Sequence, residues 1–292
     1  MPLPTRLQTL FIGLACLLPA FAGATERIID SRNGTTLTSA QLVAALTGVD
    51  YLLLGEVHDN TLHHQRRADL LKQLGGQPAV VAEHLTGGNP VADSGPLLAA
   101  LEAAGFEARN WRWPLHEPLF AAVRESGWRL VGGNVSRQVA RAIVQDGSAA
   151  IPPRLAATLE KYPMDEATSR QLDADLLANH CNQIPASLVP RLRLAQQVRD
   201  AAMFVALADS AGRPNVLLAG NGHVRKDYGI PRLLALAYPA RRQISIGFLE
   251  EGNEAPTTAE IARYDYVWVT APASRNDPCA DFRRPARTSE SG

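Results

Sequence analysis

Glu56 and His58 stand two residues apart behind the apolar run Tyr51-Leu52-Leu53-Leu54, separated from it only by Gly55. A matching segment lies far along the chain, where Val216-Leu217-Leu218-Ala219 runs into Gly220-Asn221-Gly222-His223. Between the two, Glu83-His84 follows Ala79-Val80-Val81-Ala82. In an extended segment alternate residues share a face, so Glu56 and His58 make either an acid–base pair or two ligands of a divalent metal. A carboxylate abutting an apolar run, as Glu83 does, needs a partner. Glu56, His58, Glu83 and His223 are therefore the candidate catalytic set, and Glu56, His58 and His223 the candidate metal ligands. Each residue alone also has a plain structural reading, a Glu capping a turn or a His packed over it. Four ionisable side chains converging from three strand ends are harder to explain that way.

Convergence requires a sheet to aim them. Apolar runs at 51–54, 79–82, 128–132, 216–219, 243–249 and 265–270 read as strands, and helical patterns at 62–74, 97–104, 117–125 and 230–236, with another from about 136, alternate with them. The expected fold class is α/β, a mostly parallel sheet with helices on both faces. Residues 151–210 break the alternation with helical segments only, an all-helical subdomain or cap beside the crevice. In an open parallel sheet that crevice lies outside the carboxyl ends of the strands, where both Gly-plus-His segments would point.

Other polar residues invite duller readings. His63 and His64 fit a solvated helix start, and His116, beside Trp111, Trp113 and Pro114, fits an aromatic loop. His180, next to Cys181, either reaches over the crevice or is structural. Ser136 is placed to cap the helix that follows, with Arg137 able to pair with a carboxylate there.

Bulk properties set the compartment. Arg6, the apolar run 7–21 and Ala22-Gly23-Ala24 read as a secretory signal peptide over 1–24, leaving a domain of 25–283 and a polar tail of 284–292. Cys16 offers a competing reading as a lipid anchor, against which Gly13 stands at a position that usually holds Leu and the apolar run continues past the cysteine. Loss of Arg6 leaves 28 of the 29 basic residues against 29 acidic ones. No basic run or face argues for nucleic acid. Cys181 and Cys279 remain, and in an oxidising compartment they are expected to form one disulfide. No Gly-x-Ser-x-Gly, Walker, dinucleotide, HExxH or CxxCH motif is present, so neither a nucleophilic serine nor covalent haem attachment is supported.

Taken in order, Leu54-Gly55-Glu56-Val57-His58-Asp59-Asn60 with His63-His64, Ala82-Glu83, Gly132-Gly133-Asn134, His180-Cys181, Ala219-Gly220-Asn221-Gly222-His223-Val224-Arg225 and Asp277-Pro278-Cys279 resemble the ChaN family of haem-binding uptake proteins. That family belongs to a wider group with the erythromycin esterases and the Tiki and TraB proteins. The resemblance spans about 27–283. It implies an exported, periplasmic protein of haem or iron acquisition, often a lipoprotein, with haem or another small molecule as ligand. An outer-membrane haem receptor system and a second copy of the chain would be its partners. Non-covalent haem needs an axial ligand, for which His58, His180, His223, Tyr162 and Tyr228 are the candidates. The hydrolases of the wider group use a Glu/His constellation, so a hydrolase acting through Glu56, His58, Glu83 and His223, with or without a metal, is the alternative.

Overall fold

The computed structural model describes residues 26–280 except 253 and 278. The proposed signal peptide, Cys16 and the tail of 284–292 lie outside the described residues.

Eight strands form one sheet in the order β2-β1-β8-β7-β3-β6-β4-β5. They are β1 (Arg27–Asp30), β2 (Thr36–Leu37), β3 (Tyr51–Leu54), β4 (Ala79–Thr86), β5 (Arg129–Asn134), β6 (Asn215–Leu218), β7 (Gln243–Glu250) and β8 (Tyr266–Thr270). From β8 to β5 every pairing is parallel; β1 joins β8 antiparallel and carries β2. This is the α/β fold expected, with the hairpin strands β1 and β2 added. Those two are short and interrupted by charge, which hid them from a search for apolar runs.

The strands are buried on both faces, and their side chains alternate between two cores. Leu52, Leu54, Val80, Ala82, Val216, Leu218, Ile244 and Ile246 face one side. There they meet α1 (Ser39–Ala45), α2 (Thr61–Leu71), α3 (Leu97–Ala103) and α4 (Glu117–Glu125). Tyr51, Leu53, Val81, Leu217, Val267 and Val269 face the other side, under α8 (Val189–Asp209) and α9 (Ile230–Ala237). The two-residue period thus divides a continuous apolar run between two layers. Each fully buried Leu contributes roughly 1.5–3 kcal/mol.

The all-helical stretch contains α6 (Pro153–Lys161), α7 (Glu166–Asn179) and α8. Only α6 and α7 stand away from the sheet. On α8, Val198, Ala201 and Ala202 pack against α5 (Arg137–Asp146) and α6, whereas Met203, Phe204 and Leu207 cover the sheet. A helix apolar on two sides serves both layers, so the boundary of the helical part runs along α8 itself. Cys181, just after α7, is bonded to Cys279, which ties the end of the described chain to this helical part. A short α10 (Thr258–Ile261) precedes β8.

One irregularity bears on function. β4 and β5 pair in step up to Ala82 and Gly132, and pairing resumes at Thr86 and Asn134, leaving β4 with extra residues. Such a bulge re-aims side chains, and the residues it carries include Glu83 and His84.

Candidate functional site

Chain crossing at the carboxyl ends of β3 and β6 sets the site. The N–H of Gly55 donates to Ile246 O over 2.8 Å, and a Cβ there would lie 2.2 Å from Asn221 Oδ1. Only Gly lets the Asn221 side chain pass. Asn221 then bridges to β7 as a strand would, donating to Phe248 O at 2.6 Å and accepting from Phe248 N–H at 3.0 Å.

Two polar clusters follow, one on each side of the sheet. The first surrounds Glu56, whose side chain is fully buried. Its Oε1 lies 2.6 Å from His58 Nδ1, 3.0 Å from His84 Nε2 and 3.5 Å from His116 Nε2. Its Oε2 forms an ion pair with the fully buried Arg67. Arg67 Nη2 also lies 2.9 Å from His64 Nδ1, and His64 Nε2 lies 3.0 Å from His58 O. Since a carbonyl only accepts, His64 carries its proton on Nε2 and receives the guanidinium on Nδ1. His63 is separate: it accepts from Val57 N–H at 2.9 Å and bonds Thr270 Oγ1 at 3.0 Å. Burial pushes the pKa of His63 to about 3 and of His64 to about 4, and drives His84 and His116 down as well.

The second cluster faces α8. Glu83 Oε2 accepts from Gly220 N–H at 2.7 Å, and Glu83 Oε1 lies 3.2 Å from His223 Nε2. His223 Nδ1 lies 2.6 Å from Asp200 Oδ1 on α8. Burial opposes charge on this imidazole, but the Glu83 and Asp200 carboxylates outweigh it and raise its pKa to about 10. The same imidazolium holds Glu83 well below the ordinary carboxylate range, although burial alone would raise it. Burial pushes Asp200 upward.

His58 stands where the clusters meet. It lies over Gly220, where a Cβ would come within 2.9 Å of its Nε2, and its ring meets Trp111 at 5.1 Å between centroids. Its side chain is 47% exposed, while Glu56, Glu83, His64, His84, His116 and His223 are all buried. Beside it a cleft of about 340 Å³ is lined by Glu83, His84, Leu85, Trp111, Arg137 and Arg199 among others. Ser136 caps α5 at that cleft, accepting from Val139 N–H at 3.3 Å, as its position suggested.

The structure thus pairs Glu56 with His58 and Glu83 with His223, but does not gather Glu56, His58 and His223 at one point: His223 is held by Glu83 and Asp200 on the opposite face. The other residues considered as axial ligands stand apart. Tyr228 is buried with the Arg225 guanidinium 4.1 Å over its ring. Tyr162 packs edge-on against Phe204. His180 closes α7, its Nδ1 2.7 Å from Leu176 O. His63 and His64 do not sit on a solvated helix start; both are wholly buried. The pattern of α2 carried that signal, since His64, Arg67, Ala68 and Leu71 follow the spacing of one inward face. Asp200 was equally visible as an acid inside the apolar stretch of α8.

A model of the family described as haem-binding uptake, Tiki superfamily, ChaN matches residues 42–234. A structure of cofacial haem binding to ChaN of Campylobacter jejuni covers 85% of this chain and 97% of its own, with 19% identity and a TM-score of 0.69, a likeness of fold. The structure of RRSP, a MARTX toxin effector domain from Vibrio vulnificus, covers 67% of this chain and 34% of its own at 18% identity, with a TM-score of 0.35. Comparison with curated proteins gives no match.

Proposed function

The chain belongs to the ChaN family of haem-binding uptake proteins in the Tiki superfamily, and from that premise we propose that it binds haem non-covalently at the strand-end groove, with His58 as the iron ligand. One observation carries this reading. With Nδ1 engaged by the Glu56 carboxylate, His58 keeps Nε2 as its free lone pair, and it is the exposed imidazole of the site. A carboxylate behind an imidazole fixes its tautomer and raises its basicity toward a metal. The surroundings suit a flat apolar group with two anionic arms: Trp111 and Val135 offer apolar surface, and Arg137 and Arg199 offer cations. Arg137 is shared with Glu107 at 2.7 Å. The cofacial haem binding of the Campylobacter protein supports the same ligand.

Export to the periplasm and a part in haem or iron uptake belong to the proposal. The leader-like residues 6–24 and the Cys181–Cys279 bond, of a kind that persists in oxidising compartments, support it. A lipid anchor at Cys16, hand-over with an outer-membrane haem receptor and a homodimer rest on the family resemblance. Fractionation of cells and light scattering of the purified protein test the anchor and the dimer.

Titration with haemin, followed at the Soret band, tests the central statement. We expect a saturable, shifted band in the wild type and an affinity at least about tenfold weaker in His58→Ala, a difference of about 1.4 kcal/mol. A spectrum matching free haemin would overturn it.

A hydrolytic reading has the buried Glu83–His223–Asp200 chain in its favour. However, His223 stays protonated up to about pH 10 and is no base at neutral pH. Turnover of nitrophenyl esters that is abolished by Glu83→Gln would favour that alternative.

A further inference from the structure

On the α2 side of the sheet, the buried atoms around Glu56 Oε1 are poorly served by hydrogen bonds. His116 is 0% exposed, and neither of its ring nitrogens has a partner; His84 Nδ1 also lacks one. A buried polar atom left unpaired keeps the full desolvation penalty with nothing to offset it. His116 packs among Phe106, Trp111, Phe120, His64 and His84, with Glu56 Oε1 3.5 Å from its Nε2 but no hydrogen bond between them. An imidazole serving only as filler in that company would be better replaced by an apolar ring.

From this geometry we infer that Glu56, His84 and His116 form a buried site for a divalent transition metal of the Zn²⁺ or Co²⁺ class. One donor atom from each residue lies within 4.8 Å of the others. From Glu56 Oε1 the separations are 3.0 Å to His84 Nε2 and 3.5 Å to His116 Nε2. Bonds of about 2.0–2.1 Å to a tetrahedral ion place neighbouring donors roughly 3.3 Å apart, close to the two separations measured from Glu56 Oε1. Two imidazoles and one carboxylate favour Zn²⁺ or Co²⁺ over Mg²⁺ or Ca²⁺, which prefer oxygen alone.

The neighbours bear on the same point. Arg67 pairs with Glu56 Oε2, so an ion on Oε1 uses the other oxygen and leaves that pair in place. The cleft lined by His84 and Trp111 gives a way in from solvent. His223, an obvious ligand by type, takes no part because it faces the opposite side of the sheet. The ion would share Glu56 Oε1 with His58 Nδ1, which lies 2.6 Å from it, so haem and metal uptake are told apart by the His58→Ala arm below.

Haem-free protein, stripped with EDTA, would be titrated with CoCl₂ and followed by the visible d–d bands of the ion. We expect one Co²⁺ per chain with tetrahedral-type absorption, a rise in Tm on loading, and displacement by ZnCl₂. His84→Gln and His116→Gln should each weaken uptake at least about tenfold, and His180→Gln should not. His58→Ala should lose haem binding while keeping Co²⁺. Absence of saturable uptake by the folded wild type would overturn the site, and this arm holds whether or not the variants fold. Uptake that survives both His84→Gln and His116→Gln would overturn it as well.

Discussion

Gly220 donates its backbone N–H to Glu83 Oε2 over 2.7 Å while His58 lies across its α-carbon. One residue without a side chain therefore fixes a carboxylate of one cluster and seats the imidazole of the other. In Gly220→Ala the N–H remains, but the new methyl would lie 2.9 Å from His58 Nε2 and 3.0 Å from its Cε1. The half-exposed ring must swing away. Haemin affinity should fall about tenfold or more, close to 1.4 kcal/mol, with unchanged circular dichroism. Unaltered affinity would remove His58 from the ligand role.

Arg67 and Glu56 are both fully buried and paired. Arg67→Met leaves the carboxylate without its guanidinium and should destabilise the protein by about 3–5 kcal/mol. Adding Glu56→Gln should cost much less than a second full penalty, because the uncompensated charge disappears. Urea unfolding of both single variants and the double variant measures the coupling.

Stability should depend on pH in two opposed ways. His63 and His64, at about 3 and 4, and likewise His84 and His116, are kept neutral in the fold and would be protonated once unfolded below about 6.5. Their contribution is complete above pH 6.5 and lost as pH falls toward 4 and then 3. His223, raised to about 10, contributes fully below pH 6.5 and loses that contribution as pH rises through 10. Tm should peak near neutrality and fall on both sides, the acid limb carrying the buried histidines and the alkaline limb His223. His223→Gln should flatten the alkaline limb; an unchanged limb would contradict the assignment.

Much of this site could be read from residue order. Tyr51-Leu52-Leu53-Leu54 and Val216-Leu217-Leu218-Ala219 announce strands by composition, and the Gly and His behind each announce a strand-end groove. Pairing across the groove could not be read. Nothing local says that His84 and Glu83, adjacent on β4, serve different clusters, or that His223 meets Asp200 on a helix 23 residues earlier in the chain. Arg67 was hidden because a polar side chain on an inward helix face resembles a solvated one until its neighbours are placed, whereas the aromatic surroundings of His116 were legible and its nearness to Glu56 was not. The disulfide was legible for a simpler reason, since reading 1–24 as a leader sets Cys16 aside and leaves two cysteines.

Cys181 and Cys279 are separated by 98 positions. Closing so long a loop restricts the unfolded chain by roughly 4–5 kcal/mol in the chain-entropy picture, an upper figure for a compact unfolded state. The double substitution to Ser should lower the unfolding free energy by up to that amount, and reductant should reproduce the loss in the wild type. A difference near zero would show that the bridge ties surfaces already held together.

Consecutive residues of β4 that answer to opposite sides of the sheet give the strand a check on its own alignment. Slipped by one position, Glu83 would be delivered to the side where Glu56 already occupies Arg67, and His84 would be pressed against the cation of His223. The first error brings two carboxylates together in the dry interior, where Coulomb repulsion is strongest, and the second leaves the His223 imidazolium facing a neutral ring instead of the Glu83 carboxylate. Apolar neighbours such as Val80 and Val81 discriminate weakly between two greasy layers; the two charged positions do not. The alignment of β4 is thus specified by two polar positions where its apolar residues alone would leave it loose.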